Sequence, residues 1–472
     1  MMMRPAGLAV VIAGTSILSA SCAAVGSTYE RPELTPPATF RFATAPDQAQ
    51  SLADVPWFEV FDDPTLQALI KEAISANLDL WIAVARVEEA RARAGIARSF
   101  LYPEVNAVAG YSTRAATSSE NGEGDTRQAW NYGFQLAWEI DLFGRLRRSR
   151  EAAVARFFAT EYARRGVMVT VVGDVASGYF LLRELDLQLA VARETLRLND
   201  ETVAYFRNRL DGGVSNRLEL DRIQANRSRT AAAIPDIEQQ IAVVEHDLSL
   251  LLGRAPGPIP RQRLSSDEPL PPAIPPGLPT SLLERRPDVV QAEQELIAAN
   301  ADVGAAKALF FPTISLTGFL GGISGDLSQF LGGNGAVWSL SPSLFQPIFQ
   351  AGRIRRNLDA QQARFEGALA GYRKAALNGY REVADSLVTI QKLAEQRVHR
   401  QEGVEVLLDA STLARERYDS GLASYIEILN ADEELFDQQL LLAQTLGAEL
   451  RARAGLYRSL GGGWQPAAPP EP

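Results

Sequence analysis

A short stretch of the sequence occurs twice, nearly half a chain length apart. Its two copies are LDGGVSNRLELDRIQAN and YDSGLASYIEILNADEE. Gly213 aligns with Gly421 and Glu219 aligns with Glu427, a separation of 208 positions in both cases. A glycine ahead of an apolar and acidic stretch is typical of a tight turn that leads into a helix. A chain of 472 residues with such a repeat is expected to contain two similar halves rather than one globular core.

The two halves also align at their other boundaries. FLYPEVN (100–106) is similar to LFFPTIS (309–315), and DLFGRLRR (141–148) is similar to IFQAGRIRR (348–356). Proline and glycine here mark the ends of elements. The predicted organisation is a signal peptide at 1–21, an extended segment at 22–63, a first repeat at 64–253, a proline-rich linker at 254–280, a second repeat at 281–460 and a tail at 461–472.

Each half contains one predicted β-hairpin, at about 104–140 and about 312–346. From Trp130 to Ile140, large apolar residues alternate with small or polar ones, and aromatic residues stand near both ends. That pattern is typical of a strand that faces lipid, although either hairpin alone could also belong to a soluble sheet. Four strands are too few to close a barrel, for which about eight are needed. If the strands span a membrane, several chains must share one barrel.

Long helical patterns follow the hairpins. From Ile354 to Ile390, apolar residues recur every three or four positions, as in the seam of a coiled coil. A helix from about Arg353 to Tyr418 would extend roughly 100 Å at 1.5 Å per residue. After Cys22 the sequence has no uninterrupted apolar run of 18 residues, so no transmembrane helix is predicted.

Composition argues against several classes of function. The net charge of −10 disfavours a nucleic-acid partner, because neutralising phosphates requires clustered Lys and Arg. The only His and Cys residues are His246, His399 and Cys22, too few for a His/Cys metal site. No nucleotide-binding or hydrolase motif is present, so we predict no enzymatic activity, no metal and no cofactor.

The first residues indicate export. A charged residue, Arg4, precedes an apolar stretch and the small residues LSASCAA, a pattern typical of a secretory signal peptide. The segment resembles a bacterial lipoprotein signal in which Cys22 would carry the lipid and become the first mature residue, although Ser19 stands where leucine is usual. Ala23 after the cysteine implies, by the same resemblance, sorting to the outer membrane. A lipid chain anchors a protein to a membrane but does not span it.

The segment LLERRPDVVQAEQELIAANADVGAAKALFFPTISLTG (282–318) resembles the signature of the outer-membrane efflux (TolC) family and its NodT/OprM-like lipoprotein branch. PWFEVFDDPTLQALI (56–70), YDSGLASYIEILNAD and LGGGW (460–464) fit the same branch. The resemblance implies an α+β membrane protein that forms a homotrimer, with a shared 12-stranded β-barrel in the outer membrane, four strands per chain, and a long periplasmic α-helical barrel. It also implies a passive exit duct that works with a periplasmic adaptor and an inner-membrane transporter of the resistance-nodulation-division class.

The same resemblance implies roles for the repeated turns. Three chains with two turns each would present six similar tips to an adaptor ring. The expected docking residues are Gly213, Val214, Ser215, Gly421, Leu422, Ala423 and Ser424. The alternative is that these residues only form the turns.

The helix after the second turn is expected to line a periplasmic gate. Glu427 and Asn430 match acidic family positions, although Asn430 replaces the usual aspartate, and Glu433 stands where relatives often have arginine. Tyr418 is a candidate link between helices. We hypothesise a contact between Glu427 and Arg222 of a neighbouring helix. The alternatives are that these charges are solvated, or that the gate closes through the apolar residues Ile426 and Leu429.

The same sequence features are compatible with two other functions. One is a duct for type I protein secretion, which uses the same fold. The other is a periplasmic coiled-coil lipoprotein with a structural role, which the aromatic alternation from Trp130 to Ile140 argues against.

Overall fold

The computed structural model describes residues 24–37, 39–40, 63–117, 124–264, 284–325 and 336–462. The signal peptide and Cys22, most of the extended segment and of the proline-rich linker, and almost all of the tail lie outside the described residues.

Most of the described helices occur along the chain in pairs of equal length. They are α1 (Pro64–Ala76), α2 (Leu78–Ser99), α3 (Arg145–Asp211), α4 (Arg217–Leu251), α5 (Pro287–Ala308), α6 (Arg353–Asp419) and α7 (Tyr425–Ser459). Both α3 and α6 have 67 residues, both α4 and α7 have 35, and both α2 and α5 have 22. Members of a pair start 208 positions apart after the β-hairpins and 209 positions apart before them. The predicted two-fold structural repeat is therefore confirmed.

Four strands form one antiparallel sheet in the order β1 (Glu104–Thr117), β2 (Gly124–Ile140), β3 (Thr313–Ser324) and β4 (Ala336–Phe345). The two predicted hairpins are confirmed, and they join through β2 and β3. Tyr111 lies opposite Trp130, and their ring centroids are 4.5 Å apart. Within the described sheet, β1 and β4 each pair on one side only. Such free edges can accept strands from another chain.

The described residues divide into two compact units that cut across the repeats. One unit contains the described residues within 24–33, 86–161 and 291–373, with the sheet and a core of small side chains from α3 and α5. The other contains the described residues within 34–85, 162–290 and 374–462, with the largest hydrophobic core that the described residues form. In that core, Asp63 caps α1 by accepting the amides of Thr65 and Leu66, and the Tyr179 hydroxyl donates to Asp63 at 2.5 Å.

One apolar segment of α3 is long enough to cross a membrane by length and composition alone, but half of it is buried inside the chain. Val171, Val172 and Val175 of α3 pack into the largest core together with Tyr179. The apolar character of α3 is thus explained by packing, as in the core helix of a soluble domain.

Candidate functional site

Two tight turns join the long helices, and both have the same backbone geometry. Gly213 in the turn after α3 has φ 75°, and Gly421 in the turn after α6 has φ 74°. The amide of Gly213 donates to the carbonyl of Leu210, and that of Val214 to the carbonyl of Arg209, both at 2.9 Å. The second turn repeats these two bonds 208 positions later. This is a Schellman motif, in which glycine tolerates the positive φ. We call α3 and α4 the first helical hairpin, and α6 and α7 the second.

Each turn exposes one large apolar side chain at equivalent positions. Val214 is 66% exposed and Leu422 is 72% exposed. The rest of the turns differs: Ser215 Oγ donates to Glu219 at 2.7 Å, whereas Ser424 caps α7 without a side-chain hydrogen bond and Ala423 has no polar side chain. The backbone of the turn is therefore repeated more closely than its polar contacts.

All four long helices meet beside the turns in a small apolar core, which we call the turn cluster. Its buried members are Phe206, Leu220, Ile223, Ala414, Tyr425, Ile428 and Leu429. The rings of Phe206 and Tyr425 lie 4.4 Å apart, edge to face, so the first helical hairpin contacts the second through aromatic side chains. Burial raises the pKa of the Tyr425 hydroxyl, which therefore stays neutral at physiological pH.

Tyr418 lies at the edge of the turn cluster and links the two helical hairpins. Its ring centroid is 5.9 Å from that of Phe206 and 5.8 Å from that of Tyr425. The guanidinium of Arg209 lies 5.7 Å from the same ring centroid, within the range of a cation–π contact. Burial raises the pKa of the Tyr418 hydroxyl, so the residue contributes a neutral ring. Tyr418 thus contacts residues of the first hairpin, through its ring.

Glu427 pairs with a residue of its own hairpin. Its Oε2 lies 3.5 Å from Nε of Arg417, and both side chains are about half exposed. Arg222 is exposed on α4. The hypothesised contact between Glu427 and Arg222 joins neighbouring helices and stays a prediction, while Arg417 is the partner of Glu427 in the described chain.

Glu433 belongs to an ion pair that joins the two helical hairpins. Arg229 of α4 places Nη2 2.8 Å from both carboxylate oxygens of Asp437, and its Nη1 is 3.8 Å from Glu433. Arg229 and Asp437 are 208 positions apart, so they are equivalent positions of the two repeats. A second pair, Arg415 with Asp432 at 3.0 Å, lies entirely within the second hairpin.

The two apolar gate candidates differ in exposure. Leu429 is buried in the turn cluster of its own chain, whereas Ile426 is 38% exposed and Asn430 is exposed. Of the two apolar side chains, only that of Ile426 is therefore available to contact another chain.

Sequence reasoning missed Arg209, Arg229 and Arg417 as contacts of the predicted site residues. The sequence contains a signal for two of these arginines. Arg417 directly precedes Tyr418, and Arg229 has an acidic residue, Asp437, at its equivalent position in the second repeat. Among the described residues, no group of three or more His, Cys, Asp or Glu is arranged to hold a metal ion.

Comparison with known proteins gives consistent matches. The sequence profile of the outer membrane efflux protein family matches residues 69–254 and 278–462 of this chain. The probable outer membrane lipoprotein SilC of Salmonella typhimurium is 33% identical, with 95% of this chain and 97% of SilC covered. The solvent efflux pump outer membrane protein SrpC of Pseudomonas putida is 35% identical, with 86% of this chain and 87% of SrpC covered.

Solved structures agree with this match. The structure of CusC is similar with a TM-score of 0.85 at 33% identity, with 93% of this chain and 100% of the CusC chain covered. The structure of the outer-membrane channel OprN is similar with a TM-score of 0.88 at 31% identity, with 94% of this chain and 100% of the OprN chain covered.

Proposed function

Because the chain belongs to the outer membrane efflux protein family, we propose that it is the exit duct of a tripartite efflux system in the outer membrane. The observation that carries this function is the four-stranded antiparallel sheet with two free edges, attached to helices of 67 residues. The two matching segments of the family model support the same conclusion. The duct is passive, and the pump supplies the energy.

The free edges favour a homotrimer. β4 is exposed along its whole length, from Ala336 to Phe345, although it carries Trp338, Leu340 and Leu344. An exposed, apolar strand edge tends to pair with a strand of another chain. Pairing β4 of one copy with β1 of the next would give a 12-stranded barrel of three chains, with the apolar face toward lipid. Lipidation at Cys22 would anchor each chain to the same membrane.

The exposed turns are suited to docking by a periplasmic adaptor. Val214 and Leu422 project apolar surface at equivalent positions, and a trimer would present six such tips. An adaptor with six similar subunits could contact all of them at once. An inner-membrane transporter would then supply the compounds that leave through the duct.

The contacts between the helical hairpins can serve as a gate. Opening the periplasmic end requires the second hairpin to separate from the first, which breaks the Arg229–Asp437 pair and the Tyr418–Arg209 contact. Glu427 would form a three-fold ring of carboxylates that repel each other and attract cations. The Arg417–Glu427 pair lies within one hairpin, so it orients the carboxylate but does not itself hold the gate closed.

The substrate class is proposed from what the relatives export. SrpC is a solvent efflux component and CusC a cation efflux component. We propose small toxic compounds, drugs or solvents among them, as the cargo. Type I protein secretion uses the same fold and is the second candidate, but the relatives named here are efflux proteins.

The first experiment measures the native mass of the detergent-extracted mature protein, with the lipid on Cys22 resolved, together with its ion conductance in planar bilayers. We expect a lipidated trimer that conducts. A monomer that needs no detergent and does not conduct would overturn the proposed duct.

A second experiment tests docking separately. Leu422→Asp should abolish efflux and adaptor capture, because it places a charge in an apolar contact, while trimer mass and conductance stay unchanged. Asp419→Ala is the matched control at an exposed position beside the same turn. Efflux that survives Leu422→Asp would exclude the turn as the docking site.

A further inference from the structure

A groove lies between α3 and α5, beside the end of the sheet. Its volume is about 320 Å³, at the lower end of the range of small-molecule sites. Arg147, Arg150 and Glu151 line the end nearest β2, and the floor further along α3 is apolar, with Val154 and Ile297 among its residues. We call it the α3–α5 groove. Charged groups at one end of an apolar floor suit an amphiphilic ligand.

Both flanks of the groove belong to the same chain. On one side of α3, the guanidinium of Arg91 in α2 lies 5.5 Å from the ring centroid of Phe157. On the other side, Ala155 of α3 shares a buried core with Ala301 of α5. Phe157 and Ala155 are two positions apart, so they face opposite sides of the helix. Since α3 has neighbours from its own chain on both sides, the groove is complete in one chain.

The N-terminal residues pass along the rim of the groove. Nη2 of Arg148 donates to the carbonyl of Gly26 at 3.3 Å, and its Nη1 donates to Glu151 at 2.8 Å. Gly26 follows Cys22, the expected lipid attachment, by only four residues. A bilayer surrounds the outside of a barrel, so a segment tethered by a lipid must run on the outer face. The groove therefore opens toward the membrane and the periplasm, not into the duct.

The two arginines of the groove lie close to where the strands end. Phe100 and Phe349 are exposed in the connections between helices and strands, as is typical of aromatic residues at a membrane interface. Side chains of a helix tilt toward its N-terminus, which for α3 is the end nearest the sheet. Arg147 follows this rule, because its Nη2 donates to the carbonyl of Leu142, ahead of α3, at 3.3 Å. The same tilt brings Arg150 to the level of lipid headgroups.

Arg150 carries the one charge of this end of the groove that the described residues leave unbalanced. Nε of Arg147 lies 3.3 Å from Oδ2 of Asp141, and Nη1 of Arg148 lies 2.8 Å from Oε2 of Glu151. These two pairs are neutral overall. Arg150 is exposed and makes no hydrogen bond or ion pair with any described residue. The local net charge is therefore positive, which favours a ligand with one negative charge.

We propose that the α3–α5 groove binds the headgroup of an anionic phospholipid, with the phosphate on Arg150 and Arg147. The site rests on the proposed location in the outer membrane. Guanidinium groups bind phosphate through paired hydrogen bonds, and basic pockets between helices at a membrane surface bind anionic headgroups. A phosphodiester balances the charge of Arg150. The ammonium group of phosphatidylethanolamine would restore the positive charge, so phosphatidylglycerol is the preferred ligand.

The site occurs once in each chain. Leu358 stands 208 positions after Arg150, so the second repeat lacks the cation that carries the site. A trimer would therefore bind three lipids at equivalent sites.

Native mass spectrometry of the detergent-extracted mature trimer tests this site. The trimer is titrated with phosphatidylglycerol and, separately, with phosphatidylethanolamine of the same acyl chains. We expect up to three tightly bound phosphatidylglycerol molecules. Phosphatidylethanolamine should bind at least about fivefold more weakly, which is the effect of one arginine charge at a membrane surface.

Substitutions of Arg150 separate charge from other contributions. Arg150→Gln should weaken phosphatidylglycerol binding about fivefold and abolish the preference between the two lipids. Arg150→Lys keeps the charge and should keep the preference. Arg207→Gln is the matched control, because Arg207 is an exposed arginine of the same helix near the first turn, and it should leave binding unchanged. Equal binding by Arg150→Gln and Arg207→Gln would overturn the site.

A wash with inorganic phosphate, compared with chloride at the same ionic strength, distinguishes a lipid site from a site for free phosphate. Bound phosphatidylglycerol should survive both washes, and its loss in phosphate alone would overturn the lipid as the ligand. A conducting trimer that does not prefer phosphatidylglycerol would overturn the site and leave the proposed duct intact. A monomer that needs no detergent would overturn both.

Discussion

Arg229→Ala should favour the open state of the proposed gate. The side chain contacts both carboxylate oxygens of Asp437 at 2.8 Å, but both partners are about half exposed. Solvent screening therefore limits the pair to about 0.5–1 kcal/mol per chain. Three chains that open together would lose about 1.5–3 kcal/mol, which raises the ratio of open to closed channels roughly 10- to 150-fold.

Single-channel recording in planar bilayers measures this ratio directly as the time spent in each conductance level. Arg193→Ala is the matched control. Arg193 pairs with Glu238 at 2.8 Å with similar exposure, but the pair joins α3 to α4 within the first hairpin. Because this contact is not broken when the hairpins separate, Arg193→Ala should leave the open fraction unchanged.

Salt provides an independent check on the same reasoning. The screening length falls from about 10 Å at 0.1 M to about 3 Å at 1 M salt, so wild type should approach the behaviour of Arg229→Ala at high salt. The variant itself should respond less to salt. If Arg229→Ala and Arg193→Ala have the same open fraction, the Arg229–Asp437 ion pair does not hold the hairpins together. The proposed electrostatic contribution to gate closure would then be wrong.

Substitutions at three further positions test the packing of the turns. Phe206→Ala should lower the stability of the turn cluster by about 3–5 kcal/mol, because it leaves a cavity among buried side chains, and early proteolysis at the turns would report it. Gly421→Ala should cost about 1 kcal/mol through its positive φ alone, since no atom lies within 4 Å of the added Cβ; a thermal midpoint equal to that of Ser420→Ala would contradict this. Tyr418→Phe should leave conductance unchanged, because the contacts of Tyr418 with Phe206 and Arg209 are made by its ring, whereas Tyr418→Ala removes the ring and should raise conductance.

The sequence predicted the backbone of this chain better than its contacts. Turn glycines, hairpins and helix pairs follow from local patterns, because positive φ and strand alternation are local requirements. The partner of Glu427 depends on how two helices are rotated about their axes, which the spacing of residues does not determine. The same rotation decides that Leu429 is buried while Ile426 is exposed. Pro235 lies inside α4, although a proline in the interior of a helix ordinarily ends or kinks it. Ile237, two residues later, is buried in a core shared with α3 and α7.

The equivalence of positions 229 and 437 leads to a final prediction. If both repeats carried arginine there, or both carried aspartate, like charges would meet between the hairpins, so this contact required the two repeats to diverge. Arg229→Asp alone should therefore open the gate more than Arg229→Ala, because it adds repulsion to the loss of attraction. Adding Asp437→Arg should restore closure to near the wild-type level, because the exchanged charges occupy equivalent backbone positions. Glu433, four residues earlier on α7, would also attract the new arginine side chain at position 437. A double variant that stays as open as the single reversal would mean that the side chains at 229 and 437 act through packing rather than through charge.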